Sequence, residues 1–203
     1  VLTAHSARSA QALKSILSLF VGLLALFALT ACEDRVDRVA RLQTEADTID
    51  ELAEEAQRSI NGMRYIEAAR LLDEIDRQFP TSVEAPRALI LSGRYFFEGQ
   101  EYEQAVAVLS RFIRDHGGHP DIAYGYYLRA VSAYRSVSEV DKDEGDTRQA
   151  ETFLLEVINK FSGTDYALDA SVKLNAIKNQ RAAKELVIGK FYHDRKEFLA
   201  ALT

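Results

Sequence analysis

The chain's single cysteine, Cys32, closes the string Leu29-Thr30-Ala31-Cys32. An apolar run from Ile16 to Ala28 precedes it, and Arg8 and Lys14 precede that. A basic start, an apolar core, Leu, two small residues and Cys form the layout of a bacterial lipoprotein signal. The small residues let a peptidase reach the backbone. The thiol then takes a diacylglycerol, and the freed amine an N-acyl chain. An uncleaved membrane anchor fits less well, because a spanning helix takes about 20 apolar residues and the polar Glu33-Asp34-Arg35 follows at once. An ordinary core thiol has no reason to sit behind such a run. Residues 1–31 are therefore expected to be an address label. With no second cysteine there is no disulfide framework and no thiolate metal site.

Other side chains offer little chemistry. His116 and His119 stand three apart, but Gly117-Gly118 between them breaks a helix. A turn with solvated imidazoles is expected there, not a metal site. Glu54-Glu55, Asp73-Glu74 and the acidic residues of 141–146 read as solvated faces or loop. There is no phosphate-cradling glycine loop, HExxH or nucleophile motif. We expect no catalytic residue, no metal and no cofactor beyond the lipid on Cys32.

Helices must position whatever binding groups remain. The 203-residue chain has a net charge of −6. Removing residues 1–31 takes away Arg8 and Lys14 but no acid, so the remainder is more acidic still. That argues against nucleic acid as a partner. Ala, Leu, Glu and Arg dominate, and Pro is scarce, a mixture that favours helix. Residues 32–48 read as a polar tether. From Ile49 onward apolar residues recur at helical spacing: Leu52, Ala56 and Ile60, then Ala68, Leu71, Leu72 and Ile75 after a break at Asn61-Gly62. Leu89, Gly93 and Phe96 follow, then Ala105, Val108, Leu109 and Phe112 after Gly99-Gln100. The span from Tyr166 to Asp194 reads as one long helix with Leu168, Val172, Leu174 and Ile177 on its apolar side. Strand-like alternation is absent.

The helices come in similar pairs. Tyr65-Ile66-Glu67-Ala68, Tyr102-Glu103-Gln104-Ala105 and Phe198-Leu199-Ala200-Ala201 each set an aromatic three residues before an Ala. Twelve residues before each Ala lies a small residue: Ala56, Gly93 or Gly189. Small side chains at both places let paired helices cross closely. Leu72, Leu109 and Leu154 lie four residues after the repeat Ala and fill the next core layer. Ala130 and Ala150 are 20 apart, which places a longer loop at 138–146. The pattern resembles the tetratricopeptide repeat, and the expected fold is an all-α solenoid of helical pairs. Its repeats fall at about 49–82, 86–118 and 121–163, with a long helix and an incomplete fourth repeat over 165–203.

The stretch from Arg111-Phe112-Ile113 through His119-Pro120 to Tyr124, Tyr126-Tyr127 and Arg129 is similar to the signature region of the BamD family. Thr147 to Tyr166 and the segment Tyr192–Arg195 with Phe198 add to the likeness. Ser59, where such repeats usually carry an aromatic, departs from it, as does the short acidic loop at 138–146. Much of repeat four and a fifth repeat are missing against the family pattern, which leads us to expect a fragment. The resemblance implies a lipid-anchored subunit of the outer-membrane β-barrel assembly (BAM) machinery, facing the periplasm. It implies as partners the periplasmic domain of BamA, other BAM subunits and the targeting segments of unfolded outer-membrane proteins, with the membrane held through the lipid.

A solenoid acts by presenting a face to a partner segment, not by covalent chemistry. Helical spacing puts Asp50, Gln57, Asn61, Arg87, Arg94, Phe97, Tyr124, Tyr127 and Tyr134 on the concave face. Arg and Tyr are residue types that anchor interfaces. Tyr124 and Tyr127 have a second reading, as packing between repeats. Two other functions compete: a lipoprotein adaptor for another envelope system, such as cell-wall synthesis or glycan capture, and the solenoid arm of a larger envelope enzyme.

Overall fold

The computed structural model describes residues 40–138 and 144–197, and the side chains of 138 and 144–146 are not considered. The signal, Cys32, residues 139–143 of the acidic loop and the Phe198–Ala201 step lie outside the described residues. The chain divides into two compact units, Val1–Asp50 and Glu51–Thr203. Within the first, residues 40–50 are helical and Ile49 is buried. Residues 40–48, read from their polarity as the end of a tether, are thus helix: helical geometry does not require an apolar face when most side chains stay solvated.

The helices are α1 (residues 40–61), α2 (Tyr65–Gln78), α3 (Ala85–Glu98), α4 (Tyr102–Asp115), α5 (Ile122–Ser138), α6 (Glu144–Lys160) and α7 (Asp165–Asp194). No strand occurs among the described residues. The loop between α5 and α6 is shorter than the sequence suggests, because α6 already begins at Glu144. Neighbours in sequence pack as neighbours in space from α2 to α7, and α3 lies beside α5 and α5 beside α7. This is the order of stacked helical pairs, in which first helices form one wall.

The turns between paired helices repeat at backbone level. Met63 (φ 57°), Gln100 (φ 63°) and Lys196 (φ 62°) all adopt the left-handed conformation. Each then closes the same way. The amide of Met63 donates to the Ile60 carbonyl and that of Arg64 to Ser59. Gln100 donates to Phe97 and Glu101 to Phe96, while Lys196 donates to His193 and Glu197 to Tyr192. These bonds satisfy carbonyls that a helix end leaves unpaired. The third instance falls directly after α7.

Two side-chain clusters form the core. One joins Ala69, Leu89, Phe96, Ala105, Leu109, Phe112 and Leu128; the other joins Ala130, Ala150, Leu154, Val157, Ala170, Leu174 and Ile177. Small residues set the spacing. A Cβ on Gly93 would lie 2.5 Å from Leu109 Cγ, and one on Gly125 2.7 Å from Phe112 Cε1. Leu109, four residues after the repeat Ala, therefore fills the gap that Gly93 leaves. On α7 the apolar side differs from the sequence expectation. Leu174 and Ile177 are buried together with Ala167 and Ala170, but Leu168 is 68% and Val172 62% exposed. Bulk misled the reading at two of four positions: Ala167 and Ala170 share the buried side with Leu174 and Ile177, while Leu168 and Val172 do not. Beyond Ile177, Leu186, Val187, Ile188 and Phe191 are exposed.

Candidate functional site: the wall of first helices

Three tyrosines from two helices gather where α5 meets α7. Tyr127 stacks on Tyr166 with centroids 4.9 Å apart and planes at 27°, and Tyr124 leans on the same ring at 6.3 Å. The Tyr127 hydroxyl donates to Asp169 Oδ2 at 2.8 Å. Lys173 Nζ donates to both oxygens of that carboxylate, at 2.7 and 2.5 Å, and lies 6.0 Å from the Tyr134 ring centroid. Burial, reinforced by the Asp169 hydrogen bond and charge, pushes the Tyr127 phenol up to about 12. Burial works against the Asp169 carboxylate, but hydrogen bonds from Lys173 and Tyr127 outweigh it and hold its pKa below the ordinary value. The Tyr124 phenol is raised by burial, with the Arg94 charge pulling the other way. Arg94 on α3 thus sits within electrostatic reach of Tyr124 on α5, the helix that lies beside α3.

Arg94, Tyr124, Tyr127 and Tyr134 therefore belong to one region, with Tyr166, Asp169 and Lys173 beside them. Arg87 lies two turns before Arg94 on α3, exposed like it. Phe97 is half-buried and tilts against Tyr102 at 5.6 Å, so it packs between the two helices of its own pair. Gln57 and Asn61, both exposed on α1, hydrogen-bond to each other at 3.0 Å. Asp50 is exposed and belongs to the first unit. Tyr166, Asp169 and Lys173 were missed because their period matches the buried side of α7; an i, i+4 Asp–Lys pair behind a tyrosine was the available signal.

The second helices carry a clasp that the sequence hid. Asp73 and Asp76 on α2 are 7% and 8% exposed. Arg111 on α4 pairs with both, its Nε 3.0 Å from Asp76 Oδ2, and Arg77 also reaches Asp73 at 2.8 Å. Asp73 is therefore not a solvated helix face: its carboxylate is taken from water by the neighbouring repeat. Within repeat three and its partner helix, Arg129 bonds Glu156 at 2.5 Å and lies 4.0 Å above the Phe153 ring. His116 and His119 are only partly solvated, their side chains 18% and 24% exposed. Both pack on Phe112, at 5.9 and 5.5 Å between centroids, and His119 Nδ1 accepts the Asp121 amide at 3.1 Å.

Stacked helical pairs define a helical-repeat scaffold. The YfiO family, described as outer membrane lipoprotein, matches residues 45–203, and the chain belongs to that family. The outer membrane protein assembly factor BamD of Rickettsia prowazekii is 37% identical over 139 residues, which cover 68% of this chain and 55% of the relative. Its namesake from Caulobacter vibrioides is 32% identical over 136 residues, 67% of this chain and 45% of the relative. That from Neisseria meningitidis serogroup B is 27% identical over 164 residues, covering 76% and 61%. The chain spans about half the length of the curated relatives it matches.

Proposed function

We propose that this protein is a non-enzymatic scaffold subunit of the outer-membrane β-barrel assembly machinery, held at the periplasmic face of the outer membrane by lipid on Cys32. The carrying observation is the likeness to proteins named outer membrane protein assembly factor, together with the family match over residues 45–203, which takes in both core clusters and α7. BamA and the targeting segments of unfolded barrel proteins are the partners this reading assigns. The wall of α3, α5 and α7 suits such segments: tyrosines take aromatic side chains, and Arg94 takes a carboxylate or backbone carbonyl. A scaffold needs no covalent step, and the lipid keeps its repeats close to the membrane.

A tagged full-length chain, extracted from its own envelope in mild detergent, is expected to co-purify with BamA. Removing residues 165–203 should abolish that recovery. Cys32→Ser should leave the repeats folded and release the protein from the membrane fraction. Recovery of cell-wall synthesis enzymes without BamA would overturn the assignment.

A further inference from the structure

The clasp on the second helices has one arm that does not close. His116 Nε2 is buried and has no hydrogen-bond partner among the described residues. Buried polar atoms are nearly always paired, so an orphan asks for a reason. This one faces Asp76 Oδ1 at 3.8 Å, beyond hydrogen-bond reach. Asp76 uses its other oxygen, Oδ2, to accept from Arg111 Nε at 3.0 Å, while Asp73 accepts from Arg111 and Arg77. An unprotonated imidazole nitrogen points a lone pair at a carboxylate oxygen, and the two stand off. A third cation would not be repelled here. The charged groups around the ring are Asp73, Asp76 and Arg77 from α2, and Arg111, Arg114 and Asp115 from α4, three acids against three arginines. On the loop, His119 shares the Phe112 ring with His116 and has its own acid, Asp121, at 3.8 Å. His116 caps α4 with φ −125° and ψ 39°, outside the helical region, and opens the loop that ends in α5.

We infer that His116 is a proton-operated third arm of the Asp73–Asp76–Arg111 clasp: once protonated, its Nε2–H donates to Asp76 Oδ1 and ties α2 to the loop that launches α5. Histidine is the side chain whose charge ordinarily changes between about pH 5 and pH 8, a range in which the aspartates and arginines of the clasp keep theirs. Protonation replaces a lone pair with a charged donor. Charge-assisted N–H···O bonds are about 2.8 Å long, so the ring closes on Asp76 by roughly 1 Å. Burial shields the pair from salt. The sign follows from what the bond requires, a charged imidazole and an ionised carboxylate. Its stabilisation is present on the acid side of neutrality and is lost as rising pH strips the imidazole. It is lost again in strong acid, where Asp76 takes up a proton. Arg111 couples α2 to α4 throughout this range, and His116 adds a tie at the point where the chain leaves α4. The α5 helix beyond that loop carries Tyr124 and Tyr127, so acid stiffens the support of the aromatic face. None of this depends on which partner that face receives.

A double-mutant cycle on the purified full chain tests this. Wild type, His116→Gln, Asp76→Asn and the double variant are unfolded in urea at about pH 8 and about pH 5.5, either side of the imidazole titration, and followed by circular dichroism. At the alkaline pH the two single changes should add. At the acid pH they should not: the unfolding constant of the wild type should be severalfold smaller than additivity allows. Asp76→Asn also disturbs the pair with Arg111, so His116→Gln carries the test without it. Acidification should shift the ratio of the His116→Gln and wild-type unfolding constants severalfold in favour of the wild type. His119→Gln, which leaves the Asp76 arm in place, should keep the whole of that shift. Parallel pH dependence of wild type and His116→Gln would overturn the inference, since the imidazole would then only fill space. Coupling of equal size at both pH values would overturn it too, as would an acid-side gain that His119→Gln removes and His116→Gln leaves.

Discussion

Gln100 shows how a repeat protein tolerates local strain at a single residue. Its φ of 63° is a conformation that costs an L-residue with a Cβ about 1–2 kcal/mol relative to glycine. Gly99, directly before it, has φ −78° and does not use its freedom there; it is small because a Cβ would lie 2.8 Å from Ile66 Cγ1. The glycine in the sequence marks close packing, and the residue after it takes the turn. Gln100→Gly should therefore stabilise the chain by about 0.5–1 kcal/mol, less than the full strain because glycine also loosens the unfolded chain. Urea denaturation followed by circular dichroism measures this. A destabilised variant would show that the Gln100 side chain contributes more than its backbone costs.

At the scale of elements, the join of α5 to α7 carries a titratable lock. Tyr127 donates to Asp169, and Lys173 holds the carboxylate from the other side. The Tyr127 phenol is raised to about 12 in the folded chain from an ordinary 10.0. The folded state thus keeps a proton that the unfolded state sheds, so this stabilisation is fully present below pH 10.0 and disappears as pH rises through about 12. Asp169 has the opposite sign. Its depressed pKa contributes stability above the ordinary carboxylate range, and that contribution fades on acidification. Tyr127→Phe should flatten the alkaline loss of stability and shift the acid limb less. Thermal unfolding from neutral to strongly alkaline pH, wild type against variant, is the measurement. Parallel curves would show that the hydroxyl has no role in the lock.

Across the molecule, stability depends on coupling between repeats, because each unit touches only its neighbours. The Arg111 bridge from α4 to Asp73 and Asp76 on α2 is such a coupling, joining second helices across a repeat boundary. Arg111→Ala leaves two buried carboxylates without their main cation. The expected cost is about 3 kcal/mol, the lower part of the range for breaking a buried pair, since Arg111 is itself 25% exposed and Arg77 still reaches Asp73. Weakened coupling should also broaden the urea transition, with the first repeat unfolding ahead of the rest. Hydrogen exchange resolved by segment would reveal it. Uniform loss of protection would mean that the repeats stay coupled without the clasp.

The helical pairs were legible because a solenoid writes its geometry locally. The alanines at 68 and 105, the glycine at 93 and the leucines four residues on are short-range patterns, and each recurs at the place where two helices cross. The family likeness rests on the same local strings. What the sequence could not say is which polar residues leave water. Asp73 looks like half of a solvated acidic pair, and only the placement of α4 beside α2 turns it into the partner of Arg111. Leu168 and Val172 look like core, and only the docking of α5 and α6 against the alanine side of α7 leaves them exposed. Tyr166, Asp169 and Lys173 meet the α5 tyrosines for the same reason. Periodicity fixes which residues share a helix face, because backbone hydrogen bonds set the pitch. Which face meets a neighbour depends on side chains distant in the chain, and that only the tertiary structure decided.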